Sequence, residues 1–420
     1  MRHHGQALKA EATTERERVV IKLSKPGGSS PIEFRPTGQD VKIYVCGVTP
    51  YDASHLGHVA TFLTYDILVR RLRQLGYHTR LVRNITDLDD PIAPKARQLG
   101  IPYSELVEAE VAQFRLDMDQ LGMLRPDAEP RVSEMVDETL AFIAELDAAG
   151  YVYRLDGTLY FNTTRSGVFG TLSGHPEDLR QHYARERGGD PDNPRKRNRF
   201  DFVLWRPSRD GEPEIPSRYG PGMPGWHIGC SAMARTLLGT TVDLHGGGID
   251  LIFPHHECEQ AQTMALQAEP FVRAWHHCEF VRYRGEKMSK SLGNIVLARD
   301  LLTRHDPRAI RLAVLRLYRY TAGFEWRDRD IAASERLLEI LLAAVKAPGG
   351  PDPRPWIERV KTAIDDDLDF PTATAELDDL ARAVLEGGTD PAGPQAVAEL
   401  AGMLGVNLAR PDEGAREPAS

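Results

Sequence analysis

Two groups of basic side chains, far apart in the sequence, could together bind the phosphates of a nucleotide. His55 and His58 lie in the sequence SHLGH, and Lys287 and Lys290 lie in the sequence KMSKS. Imidazole and ammonium groups, with the amides of a helix N-terminus, stabilise the negative charge that shifts towards pyrophosphate when ATP reacts. Either group alone is equally compatible with a solvated surface, so the prediction depends on the two occurring together.

Four potential metal ligands are spread through the chain. Cys46 ends a predicted strand, Cys230 closes the sequence GWHIGC, and His255 and Glu259 are four residues apart. Side chains at positions i and i+4 lie on one face of an α-helix, so His255 and Glu259 could bind the same ion. A single cysteine is more often a small buried hydrophobe than a ligand, so both interpretations stay open for Cys46 and Cys230.

The segment around the histidine motif predicts a strand, a helix and a second strand. Apolar and polar residues alternate over residues 41–46, and a helix with Ser54 as its N-cap is expected to continue to Gly76. The apolar run over residues 80–85 supplies the next strand. Strand–helix–strand units build parallel sheets, and ligands bind at the carboxyl ends of their strands. Asp89 and Asp90, which follow the second strand, are expected to cap a helix.

A second unit of the same kind is predicted nearer the lysine motif. It consists of strand-like residues 242–245, a helix over residues 255–266 and strand-like residues 280–283. Three glycines follow the first of these strands and would let an adenosine approach the backbone. Asp250 could accept hydrogen bonds from ribose hydroxyls, although a glycine run alone is a weak indication of a nucleotide site.

A change in composition between the two units indicates an insertion. The predicted organisation, in chain order, is an N-terminal extension (1–40), an α/β catalytic domain in two parts (41–115 and 221–300) around a connective insertion (116–220), a helical stem region (301–347), a C-terminal helical bundle (348–410) and a flexible tail (411–420).

Composition favours a soluble cytoplasmic enzyme. Apolar residues make up 41% of the 420 residues and charged residues 27%, and no apolar run has the length of a bilayer span or a signal peptide. Four cysteines are too few for a disulfide scaffold, and Cys258 and Cys278 are expected to be structural. The net charge of −9 disfavours indiscriminate binding to polyanions but does not exclude tRNA. No dimerisation signature is visible, so a monomer is expected.

The histidine and lysine motifs, in this order around a second alternating unit, closely resemble the HIGH and KMSKS signatures of class I aminoacyl-tRNA synthetases. The resemblance implies an α/β fold with a Rossmann-like catalytic domain, an inserted connective domain and a C-terminal helical bundle. It also implies that ATP with Mg²⁺ is a substrate and that the catalytic residues are His55, His58, Lys287 and Lys290.

The four potential metal ligands match those of cysteinyl-tRNA synthetase position by position. This resemblance implies one Zn²⁺ per chain, held by Cys46, Cys230, His255 and Glu259. Zinc with an accessible coordination position binds a soft thiolate far better than a hydroxyl and would select L-cysteine over serine. The residues that the resemblance implies for cysteine and nucleotide binding are Cys46, Gly47, Val48, Thr49, Thr61, Asn84, Ile85, Thr86, Trp226, Gly248, Ile249, Asp250 and Val281.

Other positions resemble the mycothiol-pathway cysteine ligases, which join cysteine to the amine of glucosaminyl-inositol. Pro50 stands where tRNA enzymes generally carry valine, and the sequence ERGGDP over residues 186–191 is typical of the mycothiol ligases. The chain also lacks the long basic C-terminal region expected of an enzyme that reads an anticodon. Glu259 instead resembles the tRNA enzymes, and Gly229 departs from the glutamate that those enzymes favour there.

The preferred interpretation is therefore a cysteine ligase in mycothiol biosynthesis that forms cysteinyl-adenylate and transfers cysteine to glucosaminyl-inositol or a related small amine. The alternative is a cysteinyl-tRNA synthetase that charges tRNA(Cys). A second alternative is a catalytically inactive, synthetase-like RNA-binding or regulatory protein.

Overall fold

A parallel sheet of four strands lies at the centre of the computed structural model, which describes residues 19–25, 31–288 and 292–409. Its strands are, in spatial order, Val272–Cys278, Val242–Gly248, Asp40–Val48 and His78–Ile85. All three adjacent pairs are parallel. Because the chain moves outward in opposite directions from the two middle strands, a crevice forms at their carboxyl ends, where open α/β sheets bind ligands.

The second alternating unit differs in detail from its prediction. Its first strand continues beyond residue 245 to Gly248, and its outer strand is Val272–Cys278 instead of residues 280–283. That prediction was wrong because the sequence VRAWHHC is too polar to show a strand pattern, although most of its side chains are buried. Val281–Tyr283 instead pairs with Glu286–Lys287 and Phe324–Trp326 in a separate three-stranded sheet.

The helix after the first central strand begins one residue later than predicted. It spans Leu56–Gln74, and its N-cap is His55 rather than Ser54. The His55 Nδ1 atom accepts a hydrogen bond from the Gly57 N–H group at 3.1 Å. The imidazole thus satisfies a helix N-terminal amide, as the serine hydroxyl was expected to do. The helix stops before Gly76, as predicted.

The helix predicted over residues 255–266 is slightly shorter and is preceded by a turn that the sequence did not predict. Ile252–His256 forms a wide π-type turn, and Glu257–Met264 forms an α-helix. Phe253 has an extended backbone inside the turn, with φ −135° and ψ 130°. Pro254 has no N–H group with which to continue a helix. Both residues precede the predicted range, so the predicted helix is present over Glu257–Met264, and His255 lies in the turn that leads into it.

The segment after the strand His78–Ile85 also departs from its prediction. The helix Ile92–Leu99 has Pro91 as its N-cap residue, and the proline side chain cannot accept a hydrogen bond. The expectation that Asp89 and Asp90 cap a helix was wrong, because both carboxylates bind other partners. Asp90 forms an ion pair with Arg206, and Asp89 accepts a hydrogen bond from the Thr49 hydroxyl.

The residues between the two halves of the central sheet form helices and a four-stranded antiparallel sheet. The helices are Tyr103–Gln120, Val136–Ala148 and Glu177–Glu186. The strands, in spatial order, are Val152–Leu155, Thr158–Phe161, Phe202–Arg206 and Met223–Pro224. Phe161, Phe202 and Trp205 of this sheet share a hydrophobic core with Ile228 on the helix Trp226–Leu238. This packing places the sheet next to that helix, which also carries Cys230.

The part of the chain after the central sheet is helical. Its helices are Ala298–Leu302, Pro307–Leu317, Asp330–Ala344, Arg354–Asp365, Phe370–Glu386 and Ala392–Met403. The antiparallel pair Ile21–Leu23 and Ile32–Phe34 packs into the same core. Within the described residues, each helix is too short or too polar to cross a bilayer. The domain boundaries given above stay predictions, and the predicted tail, residues 411–420, lies outside the described residues.

Candidate active site and metal centre

The four predicted metal ligands meet at the carboxyl end of the central sheet. Cys46 lies on the strand Asp40–Val48 and Cys230 on the helix Trp226–Leu238, while His255 lies in the turn Ile252–His256 and Glu259 on the helix that follows it. One donor atom from each residue lies within 4.8 Å of the others, and all four side chains are buried. The His255 Nε2 atom is 3.0 Å from the Glu259 Oε1 atom. The sequence spacing of four residues thus places both side chains at the same point.

The electrostatics of this cluster fit a cation. Burial would lower the pKa of His255, but the Glu259 carboxylate and the Cys230 thiol raise it to about 10. Burial also raises the pKa of Glu259 to about 7 and raises the pKa of the Cys46 thiol. The Glu259 Oε2 atom is buried and has no hydrogen-bond partner among the described residues. Two sulfurs, an imidazole and a carboxylate are a donor set that suits zinc, which would neutralise this concentration of anionic ligands.

Sequence reasoning missed the imidazoles that surround Cys46. The His256 Nε2 atom lies 3.3 Å from the Cys46 Sγ atom, and the His245 Nε2 atom lies 3.6 Å from it. The His256 Nδ1 atom is also 2.8 Å from the His277 Nε2 atom. Cys46, His245, His256 and Glu259 form a second group with donor atoms within 4.8 Å of one another. The signal was present, since these histidines lie at the carboxyl ends of strands or beside His255.

The histidine motif lines the same cavity as three of the four predicted metal ligands, Cys46, Cys230 and His255. This cavity, called the smaller cavity because a larger one lies beside it, has a volume of about 230 Å³. The His55 and His58 rings stack with their centroids 3.9 Å apart. The predicted site residues that line the smaller cavity are Cys46, Gly47, Val48, Thr49, His55, His58, Asn84, Thr86, Trp226, Cys230 and His255.

Gly47 and Asn84 show why this part of the cavity has a fixed shape. The Gly47 N–H group donates a hydrogen bond to the Asn84 Oδ1 atom at 2.9 Å. A Cβ atom on Gly47 would lie only 1.6 Å from the Asn84 carbonyl oxygen. Glycine is therefore required at this position so that the two strand ends can approach each other.

The lysine motif is only partly within the described residues. Lys287 lies on the short strand Glu286–Lys287, and its Nζ atom is 3.6 Å from the Asp250 Oδ2 atom. The same Nζ atom lies 3.7 Å from the centroid of the Phe280 ring. Lys290 lies outside the described residues. Lys287 and Asp250 are thus close together at the edge of the site.

The glycines at positions 246–248 lie within a strand, whereas they were predicted to follow it and to lie against an adenosine. Gly246 and Gly247 belong to the central strand and do not follow it. A Cβ atom on Gly246 would lie 2.2 Å from the Tyr65 hydroxyl, and one on Gly247 would lie 2.7 Å from Leu251. These two glycines are required by packing, whereas Gly248 and Ile249 lead directly to Asp250, and their nucleotide contacts stay predictions.

Three predicted binding residues lie in other surroundings. Thr61 is half-buried on the helix Leu56–Gln74. Ile85 is fully buried, and its N–H group donates a hydrogen bond to the Pro130 carbonyl at 2.9 Å. Val281 is buried at the start of the separate three-stranded sheet. Contacts from these residues to a nucleotide stay predictions.

A carboxylate that the sequence did not mark as functional lies beside the site. The Thr49 Oγ1 atom donates a hydrogen bond to the Asp89 Oδ2 atom at 2.9 Å. The Asp90 N–H group donates to the Asp89 Oδ1 atom, also at 2.9 Å. Burial raises the pKa of Asp89 to about 6, despite these hydrogen bonds. Asp89 is therefore a carboxyl group that can exchange a proton near neutral pH.

Comparison with known proteins identifies the class to which this fold and site belong. Residues 33–336 match the family described as tRNA synthetases class I (C) catalytic domain. A Mycobacterium tuberculosis methionyl-tRNA synthetase in complex with methionyl-adenylate is similar in structure, with a TM-score of 0.62 at 18% identity, over 87% of this chain and 89% of that one. A LeuRS from Agrobacterium radiobacter K84 gives a TM-score of 0.64 at 12% identity, over 89% and 85%. The chain therefore belongs to the class I tRNA synthetase family, and the predicted fold class is confirmed.

Relatives with higher identity are cysteine ligases. Proteins named L-cysteine:1D-myo-inositol 2-amino-2-deoxy-alpha-D-glucopyranoside ligase match nearly the whole chain. The Streptosporangium roseum protein is 41% identical over 396 residues, which are 91% of this chain and 97% of that protein. The Thermobifida fusca protein is 43% identical over 404 residues, which are 93% and 98%. The predicted resemblance to the mycothiol-pathway ligases is thus confirmed.

Proposed function

We propose that this protein is an ATP-dependent cysteine ligase that transfers cysteine to the amine of 1D-myo-inositol 2-amino-2-deoxy-α-D-glucopyranoside in mycothiol biosynthesis. The observation that carries this proposal is the convergence of Cys46, Cys230, His255 and Glu259, the first three of which line one cavity together with His55 and His58. A centre that selects the cysteine thiol and a motif that binds the ATP phosphates would then face the same cavity, and the names of the relatives indicate the acceptor.

Cys46, Cys230, His255 and Glu259 would hold the metal ion. A bound zinc ion supplies Lewis acidity that favours a substrate thiolate over a hydroxyl. Since Cys46 and Glu259 belong to both donor groups, they define the centre of the cluster. We expect the four cysteines to remain reduced, as is usual in the cytoplasm, because all are free and buried.

The first step joins cysteine to AMP. Thr49 and Trp226 line the cavity beside the metal ligands and would orient the cysteine carboxylate towards the α-phosphate of ATP. That carboxylate attacks phosphorus to form cysteinyl-adenylate and releases pyrophosphate. His55, His58, Lys287 and Lys290 would stabilise the phosphate charge that develops, and Asp250 would bind the ribose.

The second step transfers cysteine to the acceptor. The neutral amine attacks the carbonyl carbon of the adenylate, a C–N bond forms, and the C–O bond to AMP breaks. Water must be kept away from the adenylate until the amine arrives, and the buried position of the metal cluster favours this.

The experiment that tests the proposed function compares acceptors. The purified protein should catalyse cysteine-dependent ATP/pyrophosphate exchange, and 1D-myo-inositol 2-amino-2-deoxy-α-D-glucopyranoside should stimulate AMP formation. Cysteinylation of tRNA(Cys) without stimulation by the amino sugar would instead show a cysteinyl-tRNA synthetase. A complete lack of pyrophosphate exchange with cysteine would show an inactive homologue.

A further inference from the structure

A second, larger cavity lies directly beside the smaller cavity, with which it shares four lining residues. Its volume is about 800 Å³, which is within the range of about 300–1,000 Å³ common for small-molecule sites. Thr49, Tyr51, Trp226 and Leu251 line both cavities and form a shared wall. A ligand in the larger cavity would therefore approach a ligand in the smaller one across this wall.

The larger cavity is enclosed mainly by the insertion. Residues 186–190, which include most of the sequence ERGGDP, form part of its lining. Their conformation is fixed, because the Lys196 Nζ atom donates hydrogen bonds to the carbonyl oxygens of Asp190 and Arg199, both at 3.0 Å. A Cβ atom on Gly189 would lie 2.7 Å from the Ala184 carbonyl oxygen, so this turn requires glycine. The far side of the cavity therefore has a defined shape.

The charge of the lining indicates which kind of molecule fits. Six carboxylate residues and five lysine or arginine residues line the larger cavity, together with several aromatic rings. A phosphate backbone needs an excess of positive charge, which this lining does not provide. Sugar hydroxyls both donate and accept hydrogen bonds, so they match a lining of mixed sign. The cavity favours a polyhydroxylated compound over a nucleic acid.

One carboxylate of the larger cavity lies at the shared wall. Asp89 lines only the larger of these two cavities, and its Oδ2 atom accepts the Thr49 hydroxyl hydrogen bond at 2.9 Å. The Asp89 N–H group donates to the Tyr103 hydroxyl at 3.3 Å, which further fixes the backbone. Asp89 is therefore held at the point where an amine from the larger cavity would meet an adenylate in the smaller one.

We propose that the larger cavity binds the acceptor as a polyhydroxylated amine, and that Asp89 takes the proton which this amine loses when it attacks the adenylate. As the C–N bond forms and the C–O bond to AMP breaks, one proton leaves the amine nitrogen for the Asp89 carboxylate, and AMP leaves with the electron pair. This inference rests on the proposed function, since it assigns the binding site of that acceptor.

The binding part is tested with variants at the far side of the larger cavity. Asp190→Ala and Arg199→Ala should each raise the KM for 1D-myo-inositol 2-amino-2-deoxy-α-D-glucopyranoside about tenfold, the loss expected for a hydrogen bond to a charged group. Asp210→Ala is the matched control, since Asp210 is exposed on the same insertion and lies outside the cavity lining. Its acceptor KM should stay at the wild-type value.

The catalytic part is tested in single-turnover measurements on Asp89→Asn. Amide formation from preformed cysteinyl-adenylate should fall about 100-fold, the usual contribution of a general base, while adenylate formation falls far less. Thr49→Val tests whether Asp89 acts on the amine directly or only by positioning Thr49. That variant should mainly raise the cysteine KM, and an equal defect in amide formation would show that Asp89 acts only through Thr49.

The alternative is that the acceptor binds in the smaller cavity, where Glu110 provides a carboxylate. An unchanged acceptor KM in Asp190→Ala and Arg199→Ala, with a raised KM in Glu110→Gln, would overturn the inference and leave the proposed function standing. Absence of cysteine-dependent exchange in the wild-type protein would overturn both. Thermal midpoints of all variants show that an altered KM does not come from unfolding.

Discussion

At the scale of single residues, the site brings together buried side chains that can all carry charge. Without a cation, the anionic ones would repel one another and compete for protons. Two thiols, His255 and Glu259 converge within 4.8 Å, and Glu259 keeps one buried oxygen without a partner among the described residues. Sequence could predict these four because they match the zinc ligands of cysteinyl-tRNA synthetase position by position, and because the i, i+4 spacing places His255 and Glu259 on one face of a helix. His245 and His256 were missed although they lie on a strand and beside His255, because residue type alone does not distinguish a metal ligand from a buried neutral imidazole.

Lys287 offers a direct test of phosphate binding. Removal of its ammonium group in Lys287→Ala should slow cysteine-dependent ATP/pyrophosphate exchange about 100-fold or more, because a charge-stabilising donor in the transition state is lost. Lys346→Ala is the control, since Lys346 is exposed on the C-terminal side of the chain. Exchange rates measured under saturating ATP and cysteine decide the question. An unchanged rate in Lys287→Ala would contradict the assigned role.

At the scale of elements, the strand ends set the positions of the functional side chains. The first central strand and its helix were predictable because their apolar residues follow strand and helix periods. The outer strand Val272–Cys278 was not, because its polar histidines are buried by partners distant in the sequence. The turn Ile252–His256 was not predicted either, because it precedes the periodic part of the helix and contains Pro254.

Gly47 tests how closely the strand ends must approach. Gly47→Ala would place a Cβ atom 1.6 Å from the Asn84 carbonyl oxygen, so the two strands would have to separate. We expect the free energy of unfolding to fall by about 3 kcal/mol or more, as for severe overpacking. Urea denaturation measures this loss. Gly38→Ala is the matched control, because no atom lies within 4 Å of its added Cβ atom. Equal stabilities of the two variants would contradict the packing argument.

At the scale of the whole molecule, buried ion pairs connect the helix Leu56–Gln74 to the C-terminal helices. Arg311 is buried next to Asp66, and its Nε atom donates to the Leu404 carbonyl at 2.7 Å. Arg71 forms two hydrogen bonds with Asp365, at 2.8 and 2.7 Å. Long-range pairs of this kind cannot be predicted from one sequence, since their partners are far apart along the chain.

Asp66 tests the strength of this connection. Asp66→Asn leaves Arg311 buried without its carboxylate, so the free energy of unfolding should fall by about 3–5 kcal/mol. The exposed pair of Glu33 and Arg35 provides the control, and Glu33→Gln should change stability by less than about 1 kcal/mol. Denaturation of the two variants side by side measures the difference. A loss in Asp66→Asn as small as that in Glu33→Gln would show that the pair contributes little.

The same carboxylate predicts a pH dependence of stability. Burial alone would raise the pKa of Asp66, but Arg311 and Arg70 outweigh burial and lower it. A lowered pKa in the folded state stabilises the protein above the unfolded pKa of about 4, and this contribution is lost as the pH falls through the folded value. The stability difference between wild type and Asp66→Asn should therefore be constant from pH 7 to pH 5 and shrink below about pH 4. A difference that grows on acidification would contradict the assigned sign.

The central claim is that a metal ion held by Cys46, Cys230, His255 and Glu259 selects cysteine. The most direct measurement is the zinc content of protein purified without chelators, compared with its cysteine-dependent pyrophosphate exchange, for the wild type, Cys230→Ala and the control Cys278→Ala. We predict about one zinc ion per chain in the wild type and in Cys278→Ala, and loss of both zinc and exchange in Cys230→Ala. Full exchange in zinc-free protein, or unchanged zinc and exchange in Cys230→Ala, would contradict the claim.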